Sequence, residues 1–288
     1  MKRSTRTRSA LVLAAFALLA SGCTPQASPP PAPPPTAADT LIERADFAQA
    51  FEAAGVTGTL VVYDPGRGQT LVHDAGRARE PFLPASTFKV LNSLIALETG
   101  VVADTNEVFR WDGTERSIPQ WNRDHTLATA FENSVVWAYQ DIARRIGPER
   151  MEDYVARARY GNADIGGGID LFWLTGTLRI SALEQVDFLR RLHERDLPFS
   201  ERSVALVEGI MVEERRGGAT LHAKAGWAAL DDLDPPQTDI GWYVGFVEQN
   251  GQAVYFALNA DLERPEQAGA RKAVVLEVLA DLGVYGAP

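Results

Sequence analysis

The chain has 288 residues, 45% of them hydrophobic, enough to bury a sizeable core in one or two domains. Its 38 acidic residues outnumber 28 basic ones, and four of the basic ones (Lys2, Arg3, Arg6, Arg8) lie in an N-terminal leader, which leaves 24 against 38 and a net charge near −14. There is no basic stripe of the kind a nucleic-acid partner requires, and the four histidines (His73, His125, His193, His222) are too scattered for metal-ligand spacing, so no metal is expected.

Residues 1–22 read as an export signal: a basic start, then an apolar run from Ala10 to Ala20 that is too short to span a bilayer. The run ends in Ala20-Ser21-Gly22-Cys23, which resembles a bacterial lipoprotein box, although Leu19 sits one place early for the best match. Cys23 is the only cysteine, so no disulfide forms within the chain, and it is the expected lipid attachment point, with ordinary signal cleavage nearby as the alternative. Residues 23–37 are dominated by proline and form a semi-rigid linker. The expected destination is the periplasm, with anchorage to the outer membrane if Cys23 is lipidated. A single catalytic domain is expected over 38–288, as a monomer or homodimer.

That domain opens with an expected short helix from about Ala38 through Phe51. Two apolar runs, Thr57 to Tyr63 and Thr70 to His73, flank Asp64-Pro65-Gly66-Arg67-Gly68 and predict strand–turn–strand. Pro81 and Pro84 then break the chain. From Ser86 to Glu98 the apolar residues Val90, Leu91, Leu94, Ile95 and Leu97 recur at helical spacing, closed by Gly100. The stretch from about 105 to 215 is mostly helical in pattern, as in Leu127 to Ile146, Met151 to Arg159 and Ala182 to His193. Strands return after Gly217-Gly218: Thr220 to Ala225, then Ile240 to Glu248 and Ala253 to Asn259 around the hairpin signal Asn250-Gly251. Arg271 to Leu282 closes the chain as an amphipathic helix. The economical fold is α+β: a central antiparallel sheet built from both chain ends and flanked by terminal helices, with an all-helical subdomain inserted between.

Four short motifs carry candidate chemistry. In Ser86-Thr87-Phe88-Lys89, positions i and i+3 share one helical face, so the serine hydroxyl can meet the lysine amine. A serine beside a group able to take its proton is the basic unit of nucleophilic catalysis. Ser134-Val135-Val136, Tyr160-Gly161-Asn162 and Lys224-Ala225-Gly226 follow in order. Read singly, these are a helix cap, a helix stop and a strand-end charge. No Gly-x-Ser-x-Gly elbow and no phosphate-binding glycine loop is present.

Together with Leu97-Glu98-Thr99-Gly100, Gly167-Gly168-Ile169-Asp170, Phe172-Trp173-Leu174, Leu178-Arg179-Ile180-Ser181, Gly241-Trp242-Tyr243-Val244-Gly245 and Arg271-Lys272, these motifs resemble the class D serine β-lactamases over nearly all of the chain after the linker. Ser-Val-Val in place of Ser-Asp-Asn points away from class A enzymes. The resemblance implies hydrolysis of penicillin-type β-lactams through an acyl-serine on Ser86. It implies an N-carboxylated Lys89 as general base, formed from carbon dioxide with no other cofactor. Trp173 supports the carbamate, because an indole N–H only donates and a carbamate only accepts. Ser134 relays a proton to the leaving nitrogen, Lys224 supplies positive potential, and Gly226 and Trp227 adjoin the oxyanion site. Arg271 holds the substrate carboxylate through its planar fork. Val136, Trp121 and Tyr160 are further candidates for contact with substrate.

One position departs from the family. Ala225 stands where Thr or Ser is usual, which removes a hydroxyl from the substrate carboxylate and costs about 1.5–3 kcal/mol for the lost charged hydrogen bond. The competing readings are a penicillin-binding transpeptidase and a β-lactam-binding sensor, both of which keep their acyl group.

Overall fold

The computed structural model describes residues 40–229 and 238–286; the leader, Cys23 and the whole proline-rich linker lie outside the described residues. The first element is a strand, β1 (Thr40–Glu43), where a helix was expected. A single 3-10 turn at Ala45–Phe47 then leads into α1 (Ala48–Ala54). Thr40, Leu41 and Ile42 prefer an extended backbone, and β1 finds a parallel partner in β3 (Gln69–His73). The hairpin of β2 (Gly58–Asp64) with β3 forms as its turn residues dictate.

The helix α2 (Lys89–Glu98) is preceded by a 3-10 turn, Ala85–Phe88, which carries Ser86. Residues Lys89 to Leu97 are buried on every side, so α2 is a central helix packed between other helices. A small ribbon, β4 (Val108–Phe109) with β5 (His125–Thr126), precedes five helices: α3 (Leu127–Glu132), α4 (Val136–Ile146), α5 (Pro148–Arg157), α6 (Ala182–His193) and α7 (Glu201–Met211). The continuous helical pattern from Leu127 to Ile146 is thus broken in two at Asn133–Val135.

The chain then returns to the sheet through β6 (Val212–Arg216), a strand whose charged sequence hid it, followed by β7 (Ala219–Ala228), β8 (Asp239–Gln249) and β9 (Gln252–Leu262). Asn250 and Gly251 link β8 to β9 with φ of 54° and 75°, and Gln249 pairs with Gln252. A two-residue turn with both central residues at positive φ matches the twist of the strands it joins. The last helix is α8 (Ala270–Asp281).

The seven strands run in the order β1-β3-β2-β9-β8-β7-β6, antiparallel except for the β1–β3 pair. Alternate residues serve two cores, as a period of two requires. Leu60, Val62, Tyr243, Phe256 and Leu258 pack with α1 and α8, while Val61, Trp242, Val244, Phe246 and Ala257 face the helical block around α2. Each large apolar side chain so buried stabilises the fold by about 1.5–3 kcal/mol. Because β6 stops opposite His222, the stretch of β7 from Ala223 to Ala228 is left as an open edge, and the Ser86 turn packs against this strand.

Candidate active site

Ser86 is 8% exposed and Lys89 is fully buried, and Lys89 Nζ donates to Ser86 Oγ at 2.9 Å. Burial pushes the Lys89 amine well below its ordinary pKa, and the nearby Lys224 pushes it further in the same direction. A shift in that direction favours the neutral amine over the ammonium. The residue before the nucleophile, Ala85, sits at φ 47°, a left-handed conformation that costs an alanine about 1–2 kcal/mol. Its N–H bonds the carbonyl of Trp173 at 3.0 Å, which helps hold it there.

Trp173 is fully buried and its ring stacks on Phe88 with centroids 5.4 Å apart. Its indole Nε1 has no hydrogen-bond partner among the described residues. A buried donor left unpaired costs about 1–3 kcal/mol, so this site fits an acceptor supplied by something other than the unmodified side chains.

The break between α3 and α4 places the second serine. Ser134 has φ 52°, again left-handed, and Val136 is the first residue of α4. Lys224, buried on β7, donates to Ser134 Oγ at 2.5 Å and to the Ala225 carbonyl at 3.0 Å. Burial, reinforced by the nearby Arg271 and opposed by Glu213, lowers the Lys224 pKa to about 7. Gly226 allows the close approach of β7 to the nucleophile turn: a Cβ there would lie 3.1 Å from Thr87 Cγ2 and 3.2 Å from the Pro84 carbonyl.

A cavity of about 700 Å³ opens beside these groups, lined by Ser134, Lys224, Ala225 and Arg271 among others. Arg271, at the start of α8, bonds the carbonyls of Ala268 and Gly226 and lies over the Trp227 ring at 5.5 Å. Burial lowers its pKa to about 10, and no carboxylate pairs with it among the described residues. A half-buried guanidinium of this kind suits an anionic ligand. The Trp227 indole is itself held by Asp239 Oδ2 at 2.6 Å.

The other candidates fall in two places. Trp121 is half-buried beside the second serine, its Nε1 bonded to the carbonyl of Asn133 at 2.9 Å. Tyr160 is fully buried behind the nucleophile, edge-on to Phe88 and Phe188, which does not suit the direct substrate contact expected of it. Its hydroxyl instead faces Thr87 and Gln185. The sequence reading missed the cavity wall made by Glu213, which accepts from Tyr243 Oη at 2.8 Å and from Lys272 Nζ at 2.6 Å. Their spacing of 30 and 59 residues leaves no local signal. Among the described residues there is no cluster able to hold a metal ion.

A serine bonded to a buried amine, a second serine bonded to a second lysine, and a cationic cavity wall are brought together in one candidate site. Residues 58–280 match the family described as the penicillin binding protein transpeptidase domain. The chain is 45% identical over 222 residues to "Beta-lactamase OXA-48" of Klebsiella pneumoniae, covering 77% of this chain and 82% of that protein. It is 36% identical over 249 residues to "Beta-lactamase OXA-10" of Pseudomonas aeruginosa, covering 86% and 93%. The solved structure of the class D β-lactamase YbXI from Nostoc superposes with a TM-score of 0.79 at 44% identity, covering 83% of this chain and 98% of that one. The chain belongs to the class D β-lactamases, enzymes that hydrolyse the β-lactam ring.

Proposed function

We propose that the enzyme opens penicillin-type β-lactams through an acyl-Ser86 intermediate, with a carboxylated Lys89 as general base. What carries this reading is a fully buried Lys89 with its pKa pushed well below the ordinary amine value, its Nζ 2.9 Å from Ser86 Oγ, together with a buried Trp173 indole N–H that finds no acceptor among the described residues. The amine of Lys89 adds to carbon dioxide, forming an N–C bond and releasing one proton, and the resulting carboxylate gives the Trp173 N–H its acceptor. That carboxylate takes the proton of Ser86 as its Oγ attacks the ring carbonyl, and later takes a proton from the water that attacks the ester.

The backbone N–H groups of Ser86 and Trp227 meet the oxyanion. Ser134, polarised by Lys224, passes its proton to the leaving nitrogen and regains one from the protonated carbamate, which frees the carbamate to act on water; the proton taken from water returns to Ser86 Oγ as the ester breaks. Arg271 holds the substrate carboxylate, and Val136 and Trp121 border the entrance. The reading extends to an exported enzyme tethered through Cys23, which radiolabelled palmitate incorporation and its loss in Cys23→Ala would test.

Turnover is the test of the reaction itself. Incubation with a chromogenic cephalosporin is expected to give hydrolysis well beyond one equivalent, with a transient acyl adduct on Ser86 visible by mass spectrometry. A single-equivalent burst would identify a transpeptidase or sensor instead.

A further inference from the structure

We propose that Gln185 is a positioning residue for the nucleophile: a strut from α6 that fixes the Ser86 turn through the hydroxyl of Thr87. The proposal rests on the reading of Ser86 as the nucleophile. Gln185 is buried on α6. Its Nε2 donates to Thr87 Oγ1 at 2.8 Å and to Tyr160 Oη at 3.3 Å. Thr87 Oγ1 in turn donates to the Pro84 carbonyl at 2.8 Å, so its own proton is committed and it presents lone pairs to the amide. That fixes the amide as the donor.

Thr87 also packs closely on Gly226 of β7, where an added Cβ would lie 3.1 Å from Thr87 Cγ2 and 3.3 Å from its N. The turn is therefore held between a strand in tight contact with it and a helix that supplies one hydrogen-bonded arm. The clamp has something to hold. Ala85 is left-handed, and the 3-10 turn from Ala85 to Phe88 must give Ser86 Oγ its 2.9 Å approach from Lys89. Ser86 lies between the strained residue and the clamped one, so the directions of its N–H and Oγ follow from theirs. Tyr160 completes the arm, which gives its buried hydroxyl a use that substrate contact does not.

The experiment uses the full chain and reads two things, the rate of Ser86 acylation by a fluorescent penicillin and the affinity for a simple boronic acid. The boronic acid accepts the Ser86 oxygen lone pair at boron and mimics the tetrahedral intermediate. Gln185→Met keeps the side-chain length and removes both donors. Acylation is expected to slow about tenfold, with boronate affinity falling by a similar factor and the saturation constant for the penicillin within about twofold. Thr87→Val is expected to do the same, Thr87→Ser to acylate near the unaltered rate, and the Gln185→Met/Thr87→Val double variant to be no slower than the slower single one.

Lowered melting temperature with unchanged acylation and boronate affinity would overturn the proposal, as would fully multiplicative effects in the double variant. If Gln185→Met does not fold, the contrast between Thr87→Val and Thr87→Ser carries the test at the same contact: equal rates in the two overturn it. An unaltered chain that is never labelled overturns the nucleophile reading, and the strut with it.

Discussion

Lys224 and Ser134 meet across 90 residues of sequence, the amine donating to the hydroxyl at 2.5 Å from a buried position on β7. The contact needs both the open stretch of β7 beyond the end of β6 and the break between α3 and α4 that turns Ser134 toward it. If this pair delivers the proton to the leaving nitrogen, Ser134→Ala loses a general-acid contribution of about a hundredfold in acylation rate. Ser134→Gly should lose as much activity, yet melt higher than Ser134→Ala by the equivalent of about 1 kcal/mol, because glycine relieves the left-handed strain at φ 52°. Stopped-flow acylation and thermal melts separate the two effects.

The buried Lys224 also makes stability depend on pH in a defined direction. Its pKa in the fold is about 7 against 10.5 for the model amine, so between these values the unfolded chain binds more protons than the native one. Its contribution to stability therefore improves as pH rises from 7 to 10.5, and its burial is most costly below pH 7, where the ammonium must stay buried. Lys224→Met is expected to gain stability on the order of a few kcal/mol near pH 6, shrinking steadily toward pH 10, while losing activity. Chemical denaturation of both proteins at several pH values measures this; a pH-independent difference would contradict it.

Ala225 faces the cavity beside Arg271 and pairs across the sheet with Tyr243. The missing hydroxyl leaves the substrate carboxylate to Arg271. Ala225→Thr is expected to lower KM for penicillins about tenfold with little change in kcat, the gain of one charge-assisted hydrogen bond. No change in KM would mean that Arg271 alone already satisfies that group.

Much of the architecture was written in local pattern. The hairpin at Asn250-Gly251 and the helix from Ala182 to His193 form where their turn and cap residues put them, the latter with Ser181 and Glu184 closing a capping box. The capping interaction is local, so the sequence carries it whole. The failures have a different origin. β6 is four charged residues after a valine, stabilised by its neighbour β7 and not by propensity. The apolar periodicity from Leu127 to Ile146 runs without a glycine or proline, so the only local sign of the break is the reading of Ser134 as a helix cap.

That break is a strained conformation at the site, held by tertiary contact with Lys224. Ser86 and Lys89 were legible because they stand only three positions apart. Gln185 was not, because its partner Thr87 lies 98 residues away and only the fold brings them together. Tyr160 was legible as part of a motif, but a motif does not say which way a side chain faces.

The central claim is that Lys89 works as a carboxylated base supported by Trp173. The direct measurement is ¹³C NMR of the enzyme equilibrated with ¹³C-bicarbonate, in parallel with turnover. One slowly exchanging carbamate resonance is expected, absent in Lys89→Ala, weakened in Trp173→Ala and partly restored there by added bicarbonate, with activity following its intensity. Full steady turnover in carbon-dioxide-free buffer, with no such resonance, would contradict the claim.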